Sequence, residues 1–282
     1  MQLTVDGRTA YAYTGGKEFD TSRPVVVFIH GAQNDHSVWG LQSRYLAHHG
    51  YGVLALDLPG HGRSAGPALT SVEAMADWLM ALLDALGVER AALVGHSMGS
   101  LIALESAFRR TAADAADRIA SIALVATAYP MNVSDALLDA ARHDEHRAIE
   151  MISIWSHTSA HGGYSHKPSS PGPGFGLMWG SRRLMQRQAP GVLLTDFSAC
   201  NAYANGAAAA AALTCPTLFL LGERDSMTVA KAGRALAARI PHARVVVLPG
   251  IGHSIMGEAP DAALDALASH LAPMLRADHR TT

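Results

Sequence analysis

A glycine-flanked serine, set between an apolar run and a helical pattern, constrains this chain more than any other feature. Gly95-His96-Ser97-Met98-Gly99 follows the run Ala91–Val94 and precedes a helical stretch from Met98 to Phe108. The pattern is G-x-S-x-G, and its context is strand, sharp turn, helix. Such a turn needs small residues at 95 and 99, because a side chain at either would crowd the strand or the helix. It lifts the Ser97 hydroxyl clear of a sheet. The helix behind it offers unpaired N–H groups to a developing negative charge. The bland alternative is an ordinary Gly/Ser turn.

The rest of the chain repeats the strand–helix alternation. Val25–Ile29, Tyr51–Leu58, Ile119–Tyr129, Thr217–Leu221 and Val245–Leu248 are further apolar runs. Runs without polar alternation predict strands covered on both faces, as in a parallel sheet. Val72, Met75, Ala76, Leu79, Leu82, Leu83 and Leu86 share one helix face, with Ser71 as N-cap and Gly87 as stop. Val229–Ile240 and Asp261–Leu275 also read as helices. The expectation is an α/β domain with a mostly parallel sheet. No fixed-period repeat is present.

The alternation breaks between residues 131 and 206. Helical stretches lie near Ser134–Arg142, Glu145–Trp155 and Arg182–Gln188. Between them, His161–Gly176 is rich in Gly, Pro and Ser, and reads as a surface loop or as part of a lid. Ala207–Ala212 reads as a short helix returning the chain to the sheet. The predicted division is a core of residues 1–130 and 207–282 and a helical cap of residues 131–206.

A serine hydroxyl is a weak nucleophile and needs a base. Among the 15 histidines, His253 follows the last strand in Gly250-Ile251-Gly252-His253. A loop at the carboxyl end of a parallel strand opens on the same sheet edge as Ser97. The base needs an acid to fix its tautomer. Asp225 lies just past the fifth run, in Leu221-Gly222-Glu223-Arg224-Asp225, with Glu223 competing nearer the strand end. Two backbone N–H groups should hold an oxyanion: Met98, next to the nucleophile, and Ala32 in His30-Gly31-Ala32-Gln33. Gly31 would give the backbone room and His30 would brace the loop. Otherwise that segment is merely a strand-terminating turn.

These pieces resemble the α/β-hydrolase fold enzymes, in their capped serine esterase and lipase-like group. The matching motifs are His30-Gly31 with Trp39, Asp57-Leu58-Pro59-Gly60-His61-Gly62-Arg63-Ser64, the Ser97 elbow, Gly222–Asp225, and His253 with Glu258 and Pro260. The resemblance implies an α/β-hydrolase fold: a mostly parallel central sheet, helices on both faces, and a helical cap inserted after the sixth strand. It favours Asp225 over Glu223 and gives Asp57–Ser64 a structural role, so His61 is not the base. It implies no metal and no organic cofactor. Ser97 stands where related dehalogenases and epoxide hydrolases carry aspartate. His96 stands where carbon–carbon bond hydrolases usually carry asparagine. The expected function is hydrolysis of a small to medium, largely apolar carboxylic ester through Ser97, His253 and Asp225. A lactonase, amidase or carbon–carbon bond hydrolase would share the triad. A non-catalytic ligand receptor on the same scaffold is the alternative of another class.

Composition excludes other classes. Hydrophobic residues are 49% and charged residues 16%, enough to fill a core and too apolar for a disordered chain. The 22 basic and 24 acidic residues give a formal charge of −2, so nucleic acid is not the expected partner. No run approaches the ~18 apolar residues of a membrane span. Met1–Thr14 lacks the apolar stretch of a signal peptide, and Cys200 and Cys215 read as packed free thiols. The expected location is cytoplasmic. His143, His146, His157, His161 and His166 form a histidine-rich stretch that reads as solvated or cap-packing rather than metal-binding. Arg182, Arg183 and Arg187 read as a solvated helix face or as a site for an anionic substrate. Trp179, Met178 and Phe197, with Met185, are the candidate substrate-binding residues or the cap's apolar underside.

Overall fold

The computed structural model describes residues 1–112, 118–158 and 176–278. Its strands are β1 (Gln2–Val5), β2 (Arg8–Tyr13), β3 (Val25–Ile29), β4 (Gly52–Asp57), β5 (Ala91–His96), β6 (Ile119–Val125), β7 (Thr217–Gly222) and β8 (Arg244–Leu248). They form one sheet in the order β1-β2-β4-β3-β5-β6-β7-β8. Every pair from β4 through β8 is parallel, while β1–β2 and β2–β4 are antiparallel.

The six apolar runs are β3 to β8. Strands β3 to β7 are buried along their whole length, which is why they lack polar alternation. Successive side chains supply opposite faces. Val25, Val27, Ile29 and Leu93 pack with α2 (Val72–Ala85) and α3 (Met98–Ala112). Val26, Phe28, Ala92 and Val94 pack with α1 (Gly40–His48) and α11 (Pro260–Asp278). Helices therefore cover both faces. Ser71 caps α2, its hydroxyl accepting the Ala74 N–H at 3.1 Å, a contact worth about 1 kcal/mol. Gly87 follows the helix at φ +65°.

Among the described residues, five helices lie between β6 and β7: α4 (Asp135–His143), α5 (Glu145–Trp155), α6 (Leu177–Met185), α7 (Val192–Ala202) and α8 (Gly206–Ala212). The first four share an apolar cluster that includes Leu137, Ala141, Ile149, Ile152, Met185 and Phe197. The helix expected at Arg182–Gln188 begins and ends earlier, as α6. Residues 161–175 of the Gly/Pro/Ser-rich stretch lie outside the described residues, as do His161 and His166. α8 packs back on α3. Two further helices, α9 (Ala230–Ala237) and α10 (Ile255–Glu258), complete the chain order. Among the described residues no helix is long and apolar enough to cross a membrane.

Candidate active site

Ser97 sits between β5 and α3 at φ +52°, a left-handed conformation that costs a non-glycine residue about 1–3 kcal/mol. Its N–H donates to Val125 O at 2.9 Å and its carbonyl accepts Ser100 N–H at 2.8 Å. The flanking glycines are required by space. A Cβ on Gly95 would lie 2.6 Å from Ser100 N and closer still to Gly99 O. A Cβ on Gly99 would lie 2.6 Å from His30 O and closer still to Ile29 O. α3 can start directly over β3 and β5 only because both Cβ atoms are missing.

His253 lies on the loop between β8 and α10, and its Nδ1 is 2.9 Å from Asp225 Oδ2. Asp225 Oδ1 accepts the N–H groups of Met227 and Thr228, each at 2.8 Å. The Thr228 hydroxyl donates to Oδ2 at 2.7 Å. Burial pushes this carboxyl up, but the electrostatic interaction with His253 and the hydrogen bonds from His253 and Thr228 outweigh it and hold it below the usual range. An ionised Asp225 keeps the imidazole proton on Nδ1, which leaves a lone pair on Nε2. Glu223, the competing acid, is exposed and accepts the Gly250 N–H at 2.8 Å. His96 is buried behind the elbow and donates from Nε2 to the His253 carbonyl at 3.0 Å. Burial, then the nearby His253, lowers its pKa to about 3.

The inserted helices grip the same loops. Ser156, just past α5, presents its carbonyl to the N–H groups of His253 and Ser254 at 3.1 and 3.0 Å. Trp155 O accepts the Ser226 hydroxyl at 2.8 Å. Buried Glu258 accepts Thr158 Oγ1 at 2.7 Å and Gly252 N–H at 3.3 Å through one oxygen.

In the loop after β3, His30 Nδ1 donates to Gly31 O at 2.8 Å and Nε2 accepts Leu58 N–H at 3.1 Å. Burial, then the neighbouring His61, lowers the His30 pKa to about 3, so this ring is neutral. Asn34 N–H also reaches Gly31 O, at 3.3 Å. With that carbonyl held, the trans peptide turns the Ala32 N–H the opposite way. Met98 is the first residue of α3, so its N–H has no intrahelical acceptor.

Two cavities meet at Ser97. One, of about 130 Å³, is lined by His253, Ser254, Ser156, Leu177, Ser181 and Met185 among others. The second, of about 310 Å³, is lined by Met131, Val133, Leu137, Trp155, Cys200 and Thr228 among others. Ala32, Ser97, Phe197 and Met227 line both. Trp179 and Met178, two of the expected substrate-binding residues, line neither of these cavities. Leu177, Ser181 and Met185 recur every four residues and form the face of α6 toward the cavity. Trp179 falls on another face, 50% exposed, with the Arg182 guanidinium 5.2 Å from its ring centre.

The histidine-rich stretch does not converge among the described residues. His143 pairs with Asp139 at 3.0 Å, and His146 accepts from Arg182 at 2.9 Å. His157 donates to Ser153 O at 2.9 Å, and burial lowers its pKa. Asp35, His36 and Asp57 do gather, and three of their four carboxylate oxygens already accept hydrogen bonds within the chain. Asp57 Oδ1 accepts from His36 N–H and Nδ1 at 2.8 and 2.7 Å, and Oδ2 from Arg63 N–H at 2.8 Å. Asp35 Oδ1 caps the turn through Ser37 N–H at 2.8 Å. Arg182 pairs with Glu150 at 2.8 Å. Cys200 and Cys215 are free thiols, and burial raises both pKa values, that of Cys215 to about 11.

Residues 24–260 match a family model described as the alpha/beta hydrolase fold. The chain is 28% identical over 257 residues to a putative carbamate hydrolase of Klebsiella pneumoniae, covering 89% of this chain and 92% of that one. It is 40% identical over 136 residues to the dihydrolipoyllysine-residue acetyltransferase component of an acetoin cleaving system from Cupriavidus necator. That match covers 47% of this chain and spans only 32% of the relative's length. Among solved structures, the enol-lactonase of Burkholderia xenovorans superposes with TM-score 0.82 at 24% identity, covering 96% of this chain and 100% of that one. A thermophilic esterase of Thermogutta terrifontis gives TM-score 0.79 at 22% identity, covering 97% and 98%. At these identities the structural likeness is one of fold. The family match, the strand order and the helical insertion after β6 agree, and the chain belongs to the alpha/beta hydrolase fold family.

Proposed function

We propose that the protein is a serine hydrolase that cleaves carboxylic esters of small to medium, largely apolar acids. The observation that carries this reading is that Ser97 and His253 line one cavity while Asp225 holds His253 Nδ1 at 2.9 Å. His253 Nε2 takes the Ser97 proton as Oγ attacks the ester carbonyl. The N–H groups of Ala32 and Met98 receive the oxyanion. The imidazolium gives its proton to the departing alcohol, and water, activated by the same ring, releases the acid from Ser97.

The leaving oxygen must lie within reach of His253, and His253 lines the smaller cavity. The alcohol therefore occupies that arm and the acyl chain the larger one. The described helices of the insertion, α4 to α7, act as the cap that shapes both arms. A second reading, carbamate hydrolysis, is favoured by the likeness to the putative carbamate hydrolase, which runs over 92% of that protein.

The test is hydrolysis of methyl esters of rising acyl length, acetates of rising alcohol length, an aryl carbamate and a lactone, by wild type and Ser97→Ala. The expected result is activity that extends to larger groups on the acyl side than on the alcohol side, up to medium-length acids, and that disappears in Ser97→Ala. Activity retained in Ser97→Ala would remove the nucleophile assignment. A preference for the carbamate would select the second reading.

A further inference from the structure

The loop that carries Ala32 is held from above as well as from below. Gln33 follows Ala32 at φ +52°, again a conformation that persists in a non-glycine residue only when its surroundings enforce it. The enforcing contacts come from the inserted helices. Gln33 N–H donates to Asp196 Oδ2, in α7, at 2.8 Å. The Gln33 side-chain amide donates to Glu145 Oε1, at the start of α5, at 2.6 Å and to Met185 O, at the end of α6, at 3.3 Å. Gln33 and Asp196 are both fully buried.

A buried carboxylate needs a counter-charge, and His61 supplies it. His61 Nε2 is 2.9 Å from Asp196 Oδ2, and Nδ1 is 3.1 Å from the Pro59 carbonyl. Both partners only accept, so both ring nitrogens donate and the ring is an imidazolium. Burial works against that charge, but the Asp196 carboxylate overrides it and raises the His61 pKa. One carboxylate thus joins the loop after β3, the loop after β4, and α7.

We propose that Asp196 is a positioning residue for the oxyanion site: by accepting the Gln33 N–H it fixes the Ala32–Gln33 peptide, and so the far side of the residue whose N–H, in the Gly31–Ala32 peptide, faces the oxyanion, while His61 serves as its counter-ion. The inference rests on the serine-hydrolase reading above. His30 secures the peptide before Ala32 and Asp196 the peptide after it. Releasing either end lets the donor swing. Charge builds on the oxygen only in the transition state, so the effect falls on kcat and not on substrate affinity.

The experiment compares wild type, Asp196→Ala, Asp196→Asn and Glu145→Ala on a p-nitrophenyl ester. Active sites are counted by fluorophosphonate titration, so that unfolded protein drops out of kcat. An alkyl boronic acid, which forms a tetrahedral adduct on the serine, probes the oxyanion site directly. In Asp196→Ala, kcat should fall by about 10–100-fold with KM held within about twofold, and the boronate Ki should rise in parallel. Asp196→Asn keeps an amide oxygen for the Gln33 N–H and should recover most of the loss. Glu145→Ala should show a smaller loss in the same direction. Wild-type kcat per titrated site in Asp196→Ala overturns the proposal, as does an equal loss in Asp196→Asn. If Asp196→Ala yields no folded protein, unchanged kcat and boronate Ki in Glu145→Ala overturn it instead. Failure of the underlying reading looks different: wild type itself would then take no fluorophosphonate label at Ser97.

Discussion

Lowering the pH from 7 to 5 should cost the protein at least about 3 kcal/mol of folding stability. The cause is two neutral histidines beneath the loops of the candidate active site. His30 and His96 are buried, and burial first, then a neighbouring imidazole, lowers each pKa from 6.5 to about 3. Between those values the unfolded chain binds a proton at each position and the folded protein does not. Unfolding therefore takes up protons, and stability is lost as pH falls below 6.5. For one such histidine the linkage penalty is negligible at pH 7 and about 2 kcal/mol at pH 5, so the pair loses about 4 kcal/mol. His61 acts in the opposite sense. Its pKa is raised, so its contribution is fullest below 6.5 and is lost as pH rises through the folded value. Over this pH interval it returns less than about 1 kcal/mol, however far its pKa is raised. His157 and His270, both lowered by burial, add to the loss. The Asp225 carboxyl, held below 3.8, titrates beneath the interval. Equilibrium urea unfolding followed by tryptophan fluorescence at both pH values, at constant ionic strength, measures the difference. Stability that is equal or greater at pH 5 would refute the assignment of His30 and His96 as buried neutral rings.

Two further outcomes follow from the geometry. Gly95→Ala drives a methyl group into the backbone at Gly99 and Ser100; it should cost about 3 kcal/mol or more, because backbone cannot step aside like a side chain, and urea unfolding against wild type gives the value. Trp179→Ala should leave kcat and KM for p-nitrophenyl esters within about twofold of wild type, since that ring lines neither cavity; a large rise in KM would return Trp179 to the substrate site.

The parts of the fold legible in the sequence were those with a local signature. Strands β3 to β8 announced themselves because burial on both faces removes polar residues, and α2 because its apolar face and Ser71 cap fall in register. Strands β1 and β2 went unread because each is short and carries polar side chains on an exposed face. The usable signal was Asp6-Gly7, with φ +49° and +75° between alternating segments, the turn chemistry of a two-residue hairpin. At the candidate site, Ser97, Asp225, His253, Met98 and Ala32 follow strand ends or open a helix, so their neighbourhood could be anticipated from chain order. The face of α6 could not. Its start at Leu177, not near Arg182, decides that Leu177 and Ser181 turn to the cavity and Trp179 to solvent. The Asp196–Gln33 contact joins residues 163 positions apart, and no periodicity encodes such a pairing.

The contacts of α5 bear on how substrate range can diverge in such a scaffold. The helix has Glu145 on the loop after β3 at one end, and the carbonyls of Trp155 and Ser156 on the loops of Asp225 and His253 at the other. Exchanging the whole insertion with that of a relative would strip acceptors from several loops at once, so wholesale grafting is a poor route to new specificity. Substitution at Leu177 and Ser181 on α6, or at Leu137 on α4, alters a cavity wall while leaving those acceptors in place. In this scaffold the freedom to vary lies in single side chains along two helices, and the constraint in the two ends of a third.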